Sequence, residues 1–329
     1  MHIFNHTHFD FLRWRWHAVA LSWVVILAGL GLIATKGIHQ GIEFAGGTAI
    51  IAQFDTTPSI EAVRNSLDKN LAGGGQNTIV QGYGDPSLRQ VMVRVPNVGA
   101  ESGASLSSEA QAVSEALRKG NLGAFKVVGT EIVGPSVGRE LTTKGIYAFV
   151  ASLAGILAYI AFRFQFSFAV GAVIATIHDI FVTMAFLAFF GYDITLNVIA
   201  AILAVTGYST NDTIVIFDRV RENLRSMRRD SLGQVVNASI NQTLGRTVIT
   251  AGTALLSAIA LFLFGGEVLR GFAFTMIVGI VTGTYSSVFV AAAIVTLWKG
   301  SGKKAPVQTV QEAAPTTKRT KSSRKARAS

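Results

Sequence analysis

The sequence has no cysteine and few charged residues for its length. Its 329 residues include 29 Lys and Arg and 19 Asp and Glu, so 15% are charged, whereas soluble globular proteins carry roughly a quarter. The lack of cysteine excludes disulfides and thiolate metal sites in this chain. The shortage of charge falls in long apolar runs separated by stretches of ordinary polarity. This distribution is typical of membrane spans joined by aqueous segments.

Six apolar runs are long enough, or nearly so, to be membrane helices, since about 20 residues cross the hydrocarbon core. The first is longer than a signal-peptide core and ends without a clear cleavage pattern, so it is predicted to be an uncleaved span rather than a removed signal. The runs are approximately residues 17–35, 145–162, 167–190, 194–217, 247–264 and 271–298.

Basic residues are concentrated on one predicted side of the membrane. Nine Lys and Arg lie in residues 299–329 and six Arg in the loop 218–246, and the N-terminal flank and the loop after the second run add three more. The opposite short loops carry only Arg270. The positive-inside rule therefore predicts that both termini are cytoplasmic. The tail 299–329 has no aromatic residue that could stack on bases, so nucleic acid is not an expected partner, and its composition predicts disorder.

Residues 37–143 form a polar insert between the first two runs, on the side of the membrane opposite to the termini by the same rule. Their patterns predict strands at 48–54, 78–83, 90–95 and 125–133, and helices at 59–71 and 106–117. The order β-α-β-β-α-β is typical of a ferredoxin-like α+β domain. The predicted fold class is therefore an α-helical polytopic membrane protein with six transmembrane helices and this domain inserted between helices 1 and 2. The predicted domains are 1–36, 37–143, the five-helix bundle 144–298, and 299–329.

Asp179 and Asp212 are the only carboxylates within the six runs. A carboxylate in the hydrocarbon region is costly, and such residues often take part in proton or ion pathways. The alternative is a structural Asp that ties helices together through hydrogen bonds. Asp212 is the stronger candidate, because a polar stretch surrounds it and predicts a hydrated, inward-facing stripe. That stretch includes Thr206, Tyr208, Ser209 and Asn211.

Arg246 lies immediately before the fifth run, at its cytoplasmic start, and is the predicted partner of Asp212. Asp212 itself lies ~9 Å from the cytoplasmic end of the fourth run, at ~1.5 Å per residue. Arg246 would hold an ionised Asp212 and release a protonated one, which gives a proton-controlled contact. The alternative is an Arg that extends to the lipid headgroups.

His178 and Asp179 lie near the middle of the third run, and Asp179 is displaced from Asp212 by roughly 9 Å by the same arithmetic. They would form a second station of a relay, or a structural contact. The separation disfavours an aspartyl protease, whose two carboxylates share one proton ~3 Å apart.

Several motifs resemble the SecF family, the smaller membrane subunit of the SecD–SecF accessory complex of bacterial protein export. The most specific is GYSTNDTIVIFDRVREN at 207–223, with QTLGRT at 242–247, LFGG at 263–266 and GTYSS at 283–287. GIEFAGG at 41–47 and VGPSVGREL at 133–141 also fit, although Glu43 stands where the family usually has Asp.

The resemblance implies one half of a proton-driven exporter of the resistance–nodulation–division type, in the bacterial inner membrane. It implies a SecD-like partner with six further spans, association with a SecYEG-type translocon, and unfolded preproteins as substrates. No enzymatic step, cofactor or metal is expected. Asp212 and Arg246 match the proton-linked residues of the family. A scaffold that conducts nothing and a homodimeric small-molecule or lipid exporter remain alternatives, and Na⁺ is a possible coupling ion beside H⁺.

Overall fold

The computed structural model describes residues 7–38, 40–71, 78–84, 86–95, 103–163 and 166–300. Within these ranges six helices are long and apolar enough to cross a membrane, as predicted. They are Leu12–Lys36, Pro135–Arg163, Phe168–Phe190, Leu196–Ser226, Leu232–Phe264 and Val268–Leu297. The sequence predicts disorder for the tail 299–329, and the residues of this tail beyond 300 lie outside the described ranges.

The helices are numbered in chain order. The first span is α1 (Arg15–Lys36), preceded by a short 3₁₀ turn, Leu12–Trp14. A single helical turn, α2 (Ile42–Ala45), precedes the first strand of the insert, whose two longer helices are α3 (Ile60–Asn70) and α4 (Gly103–Lys119). The next four spans are α5 (Pro135–Arg163), α6 (Phe166–Phe190), α7 (Leu196–Ser226) and α8 (Leu232–Phe264). The sixth span consists of α9 (Glu267–Ser286) and α10 (Ala292–Gly300), which are joined by a π-helical segment, Ser287–Ala291.

The cytoplasmic loop predicted at 218–246 is mostly helical, because α7 continues to Ser226 and α8 starts at Leu232. Charged side chains support the extension of α7 beyond its apolar run: Arg219 pairs with Glu222, and Arg221 pairs with Asp218, each three residues apart. Ser231 starts α8 with a capping box that involves Gln234. The actual connection is therefore the short segment 227–231.

The insert contains a four-stranded antiparallel sheet made of β1 (Gly47–Phe54), β2 (Ile79–Tyr83), β3 (Gln90–Val95) and β4 (Phe125–Val133). The strand order is β2-β3-β1-β4, and every strand lies within one residue of its predicted bounds. Residues from the sheet and from α3 and α4 form a separate hydrophobic core. Its members include Ile50, Phe54, Val63, Leu67, Val93, Val113 and Leu117.

The insert contacts the bundle at the connection between α6 and α7. Arg94 on β3 donates from Nη2 to Asp193 Oδ2 at 2.7 Å, and only 5% of the Arg94 side chain is exposed. Beside this ion pair, the Gly41 N–H donates to the Ile194 carbonyl at 2.8 Å. The base of the insert is therefore attached to the residues that join two spans.

About half of the apolar part of α7 is buried in the bundle, and α9 packs closely against this helix through glycines. A Cβ atom added at Gly279 would lie 2.3 Å from Val205 Cγ1, and one at Gly283 would lie 2.7 Å from Ser209 Cβ. Both distances are below van der Waals contact, so only glycine permits this approach. Gly279 and Gly283 thus form a small-x3-small pattern at a helix–helix interface.

Candidate functional site

Asp212 lies on α7 in the interior of the bundle, with 7% of its surface exposed. Each of its carboxylate oxygens accepts a hydrogen bond from a hydroxyl on another span. Thr247 Oγ1 on α8 donates to Oδ1 at 2.6 Å, and Ser287 Oγ in the sixth span donates to Oδ2 at 2.7 Å. Such short bonds to a carboxylate are stronger than those between neutral groups. Asp212 therefore joins three helices through its two oxygens.

Asp179 forms a second polar centre on α6 and is 2% exposed. Its Oδ2 accepts hydrogen bonds from Ser209 Oγ at 2.5 Å and from Ser286 Oγ at 2.8 Å. Its Oδ1 lies 3.0 Å from His178 Nδ1. The His178 ring in turn stacks near Tyr285, with centroids 6.4 Å apart. Asp179 therefore also connects three spans, and it engages a titratable side chain.

The two centres are adjacent. Ser286 and Ser287 are successive residues, and Ser209 precedes Asp212 by one helical turn, a rise of ~4.5 Å. Because Asp179 accepts a hydrogen bond from Ser209, its carboxylate lies about one helical turn of α7 from Asp212. Among the described side chains, the hydrogen bonds of each carboxylate go to hydroxyls or to His178 rather than to the other carboxylate. The arrangement is therefore two linked sites and not a dyad that shares one proton.

A π-helical segment begins at Ser287, where the sixth span reaches Asp212. Single π turns inside α-helices often occur at functional sites. Here the segment starts at the second residue of the serine pair, Ser287. Sequence reasoning did not identify Ser286, Ser287 or Thr247 as site residues. The available signals were the motifs GTYSS and QTLGRT, which contain all three.

The structure places Arg246 beside the site but not in contact with the carboxylate. Its side chain is exposed, and the ion pairs found among the described residues include none between Arg246 and Asp212. The residue that reaches Asp212 is its neighbour, Thr247. The predicted pair of Asp212 and Arg246 is therefore not formed in this conformation.

The other residues of the predicted polar stripe divide between two sides of α7. Ser209 joins the Asp179 centre, and Thr206 is buried but donates to the carbonyl of Ile202, on its own helix, at 2.8 Å. Tyr208 is half-buried and interacts with Thr250 and Thr284, and Asn211 is exposed. The stripe is thus partly interior and partly directed out of the chain.

No group of three or more His, Asp or Glu residues within the described ranges is arranged to hold a metal ion.

The fold and the site define a polytopic helical membrane protein with a carboxylate-bearing centre and a small α+β insert between its first two spans. Residues 113–301 match the family described as "Protein export membrane protein SecD/SecF, C-terminal", and residues 31–58 match the SecD/SecF GG motif. The chain belongs to the SecD/SecF family of protein-export membrane proteins.

Known proteins similar to the chain support this membership. Over 292 residues it is 42% identical to the protein translocase subunit SecF of Desulfurispirillum indicum. The aligned region covers 88% of this chain and 91% of that protein. Over 284 residues it is 42% identical to the protein translocase subunit SecF of Vibrio alginolyticus, and the aligned region covers 86% of this chain and 88% of that protein.

A solved structure is similar as well. The crystal structure of SecDF, a translocon-associated membrane protein from Thermus thermophilus, superposes with a TM-score of 0.78 at 35% identity. The match covers 89% of this chain, and the chain spans only 39% of that longer SecDF chain. Together these similarities confirm the family resemblance and support a SecD-type partner.

Proposed function

We propose that this chain is the SecF-type half of a protein-export complex that uses the proton gradient across the bacterial inner membrane. The observation that carries the proposal is the pair of buried aspartates, each bound by hydroxyls from two neighbouring spans. An ionisable residue inside the membrane is costly, and such residues mark ion or proton pathways. The relatives, which are named as protein translocase subunits, indicate which process such a site would drive.

In this proposal Asp212 takes up and releases the transported proton. An ionised Asp212 accepts hydrogen bonds or pairs with a cation, and a protonated one can itself donate. Arg246 and Thr247 are successive residues of α8, so a rotation of that helix by ~100° would exchange one for the other beside Asp212. The charge on Asp212 would select between the two arrangements, because only the ionised form gains from a nearby guanidinium.

Asp179 and His178 form the second station of the proposed path. Ser286 and Ser287 place the two carboxylate centres within one helical turn of each other. Hydroxyl groups both donate and accept, so they suit proton exchange between such stations. A purely structural Asp179 remains the alternative, and Asp179→Asn separates the two roles.

The proposed SecD-type partner would cover polar groups that this chain leaves open within its spans. Asn211 on α7 and Arg246, Thr253 and Ser257 on α8 are exposed, although all lie in or at the start of apolar helices. Polar side chains that face lipid are unfavourable, whereas the same groups in a helix–helix interface form hydrogen bonds. A six-span partner on this face would complete a two-part transporter. A SecYEG-type translocon and unfolded preproteins are the further proposed partners.

We also propose the orientation and the domain division that the sequence indicates. The insert, about residues 37–143, would lie in the periplasm as a ferredoxin-like domain, which the strand order β2-β3-β1-β4 and the two interposed helices support. The termini, the connection 227–231 and residues 299–329 would be cytoplasmic, and 144–298 would be the bundle. No covalent chemistry on the preprotein is proposed.

The decisive experiment is preprotein export in membrane vesicles with an imposed proton gradient. The native chain is compared with Asp212→Asn and with Asp218→Asn, a matched control on the same helix whose carboxylate is exposed and pairs with Arg221. Assembly with the partner subunit is measured in each. We expect Asp212→Asn to assemble and to lose the gradient-dependent part of export, and Asp218→Asn to keep it.

Other outcomes would identify the alternatives. Undiminished export by an assembled Asp212→Asn complex would favour a scaffold. Export driven by a sodium gradient in place of the proton gradient would change the coupling ion. Self-association of the chain with transport of a small molecule would replace the proposal by a homodimeric exporter.

A further inference from the structure

An apolar groove of about 540 Å³ runs between the first, third and sixth spans. Along α1 it extends from Arg15 to Leu30, and Phe181 on α6 and Ile294 on α10 lie on its other walls. Among its described lining residues, only Arg15 and His178 carry titratable side chains. The groove therefore combines a long hydrocarbon surface with one permanent positive charge at its end.

We propose that this groove binds one anionic phospholipid, with the phosphate at Arg15 and an acyl chain along α1 towards Leu30. The site goes beyond the export function and does not depend on it. Only the choice of leaflet rests on the proposed orientation, which makes the Arg15 end cytoplasmic.

The length of the groove matches the length of a lipid. Arg15 and Leu30 are 15 residues apart on one helix, which corresponds to ~22 Å at ~1.5 Å per residue. One leaflet with its headgroup region measures about 20–22 Å, half of a bilayer of ~40–45 Å. A phosphate at Arg15 thus leaves room for an acyl chain that reaches the middle of the membrane.

Arg15 is positioned to bind a phosphate. Its Nη1 donates to Thr296 Oγ1 at 3.4 Å, and its guanidinium carbon lies 5.6 Å from the centre of the Trp16 ring. These contacts hold the guanidinium at the end of the groove and use a minority of its five N–H donors. The planar fork of Arg suits paired phosphate oxygens. Trp16 and Trp23 also line the groove, and tryptophan is enriched at the membrane interface.

The test uses the full chain, co-expressed with its partner subunit, in native membranes. A photoreactive p-benzoylphenylalanine replaces Phe181 in the groove or, for comparison, Tyr159 on the exposed surface of α5. After irradiation, mass spectrometry identifies the lipids attached to each position. We expect the ratio of anionic to zwitterionic lipid to be several-fold higher at position 181 than at position 159.

A matched pair of arginine variants locates the headgroup. Arg15→Gln should lower the ratio at position 181 to that at position 159. Arg13→Gln removes the same charge from an exposed residue outside the groove and should leave the ratio unchanged.

Three results would overturn the proposal: equal ratios at the two positions, an effect of Arg13→Gln as large as that of Arg15→Gln, or adducts at position 181 that are mainly protein. The comparison of positions 181 and 159 in the native chain remains decisive if Arg15→Gln fails to assemble. No readout involves export, so failure of the proton-driven function would leave this test intact.

Discussion

Ser286 and Ser287 are successive residues of the sixth span, and they donate hydrogen bonds to different aspartates, Ser286 to Asp179 at 2.8 Å and Ser287 to Asp212 at 2.7 Å. Successive residues of a helix point ~100° apart, so the sixth span fits between the two helices that carry the carboxylates. A rotation or shift of this span would change both contacts together. The two centres are therefore mechanically linked as well as close in space.

The hydroxyl of Thr247 should be required for proton-coupled export. Thr247→Val keeps the shape of the side chain but removes the bond to Asp212 Oδ1, and hydrogen bonds to charged groups contribute about 1.5–3 kcal/mol. We expect gradient-driven export to fall roughly tenfold or more, since ~1.4 kcal/mol corresponds to a factor of ten. Thr247→Ser retains a hydroxyl and should export much better than Thr247→Val. Equal export by the two variants would show that the hydroxyl has no role.

Asp179→Asn should separate a relay from a structural role. Both serine hydroxyls bond the same oxygen, Oδ2, so an Asn that presents its single oxygen there preserves both contacts. We expect normal assembly with the partner and a marked fall in gradient-driven export, because the amide cannot exchange the proton. Vesicle export and co-purification of the partner measure the two effects. Full export by an assembled variant would make Asp179 structural.

The ion pair between Arg94 and Asp193 should fix the insert on the bundle. Asp193→Asn leaves the Arg94 guanidinium buried without its counter-charge, and breaking a buried pair costs ~3–5 kcal/mol. We expect faster proteolysis of the insert and a lower Tm. The double variant Arg94→Met, Asp193→Leu removes both charges and should be more stable than Asp193→Asn. If the single variant is as resistant to protease as the native chain, the pair does not hold the insert.

Glycine at position 279 should be essential for the packing of α9 on α7. The Cβ atom of Gly279→Ala would overlap Val205, and overpacking of this kind costs ~1–3 kcal/mol. Gly252→Ala is a matched control, because no atom lies within 4 Å of the added Cβ there. Thermal unfolding in detergent should show a lower Tm for Gly279→Ala than for Gly252→Ala. An equal Tm would mean that the two helices separate without cost.

Apolarity predicted which segments cross the membrane but not where the helices end. Hydrophobic runs report contact with lipid, whereas a helix continues for as long as its backbone hydrogen bonds and side-chain pairs support it. Helix α7 therefore extends through the charged residues up to Ser226, and α5 begins at Pro135, ten residues before its apolar run. Depths counted from the ends of the runs carry the same error, because the runs and the helices end at different residues.

The carboxylates of the site were predictable, and their hydroxyl partners were not. A carboxylate in an apolar run is rare and stands out in the sequence. Ser and Thr are common in spans, where their hydroxyls usually bond the backbone of the preceding turn. Ser286 and Ser287 make such bonds too, to the carbonyls of Gly283 and Thr284. Only the packing of three helices shows which hydroxyls also reach an aspartate.

The attachment of the insert has a consequence for how force would travel. Residues 191–195 connect α6 to α7, the two helices that carry Asp179 and Asp212. The insert is bound to this connection by hydrogen bonds to Asp193 and Ile194. A force that acts on the insert would therefore also act on residues 191–195, the connection between the two helices that carry the carboxylates. The insert is also covalently joined to α1 and α5, so tension on it would reach those two spans directly, and the contacts of Asp193 and Ile194 would transmit the tension to the two aspartate-bearing helices as well.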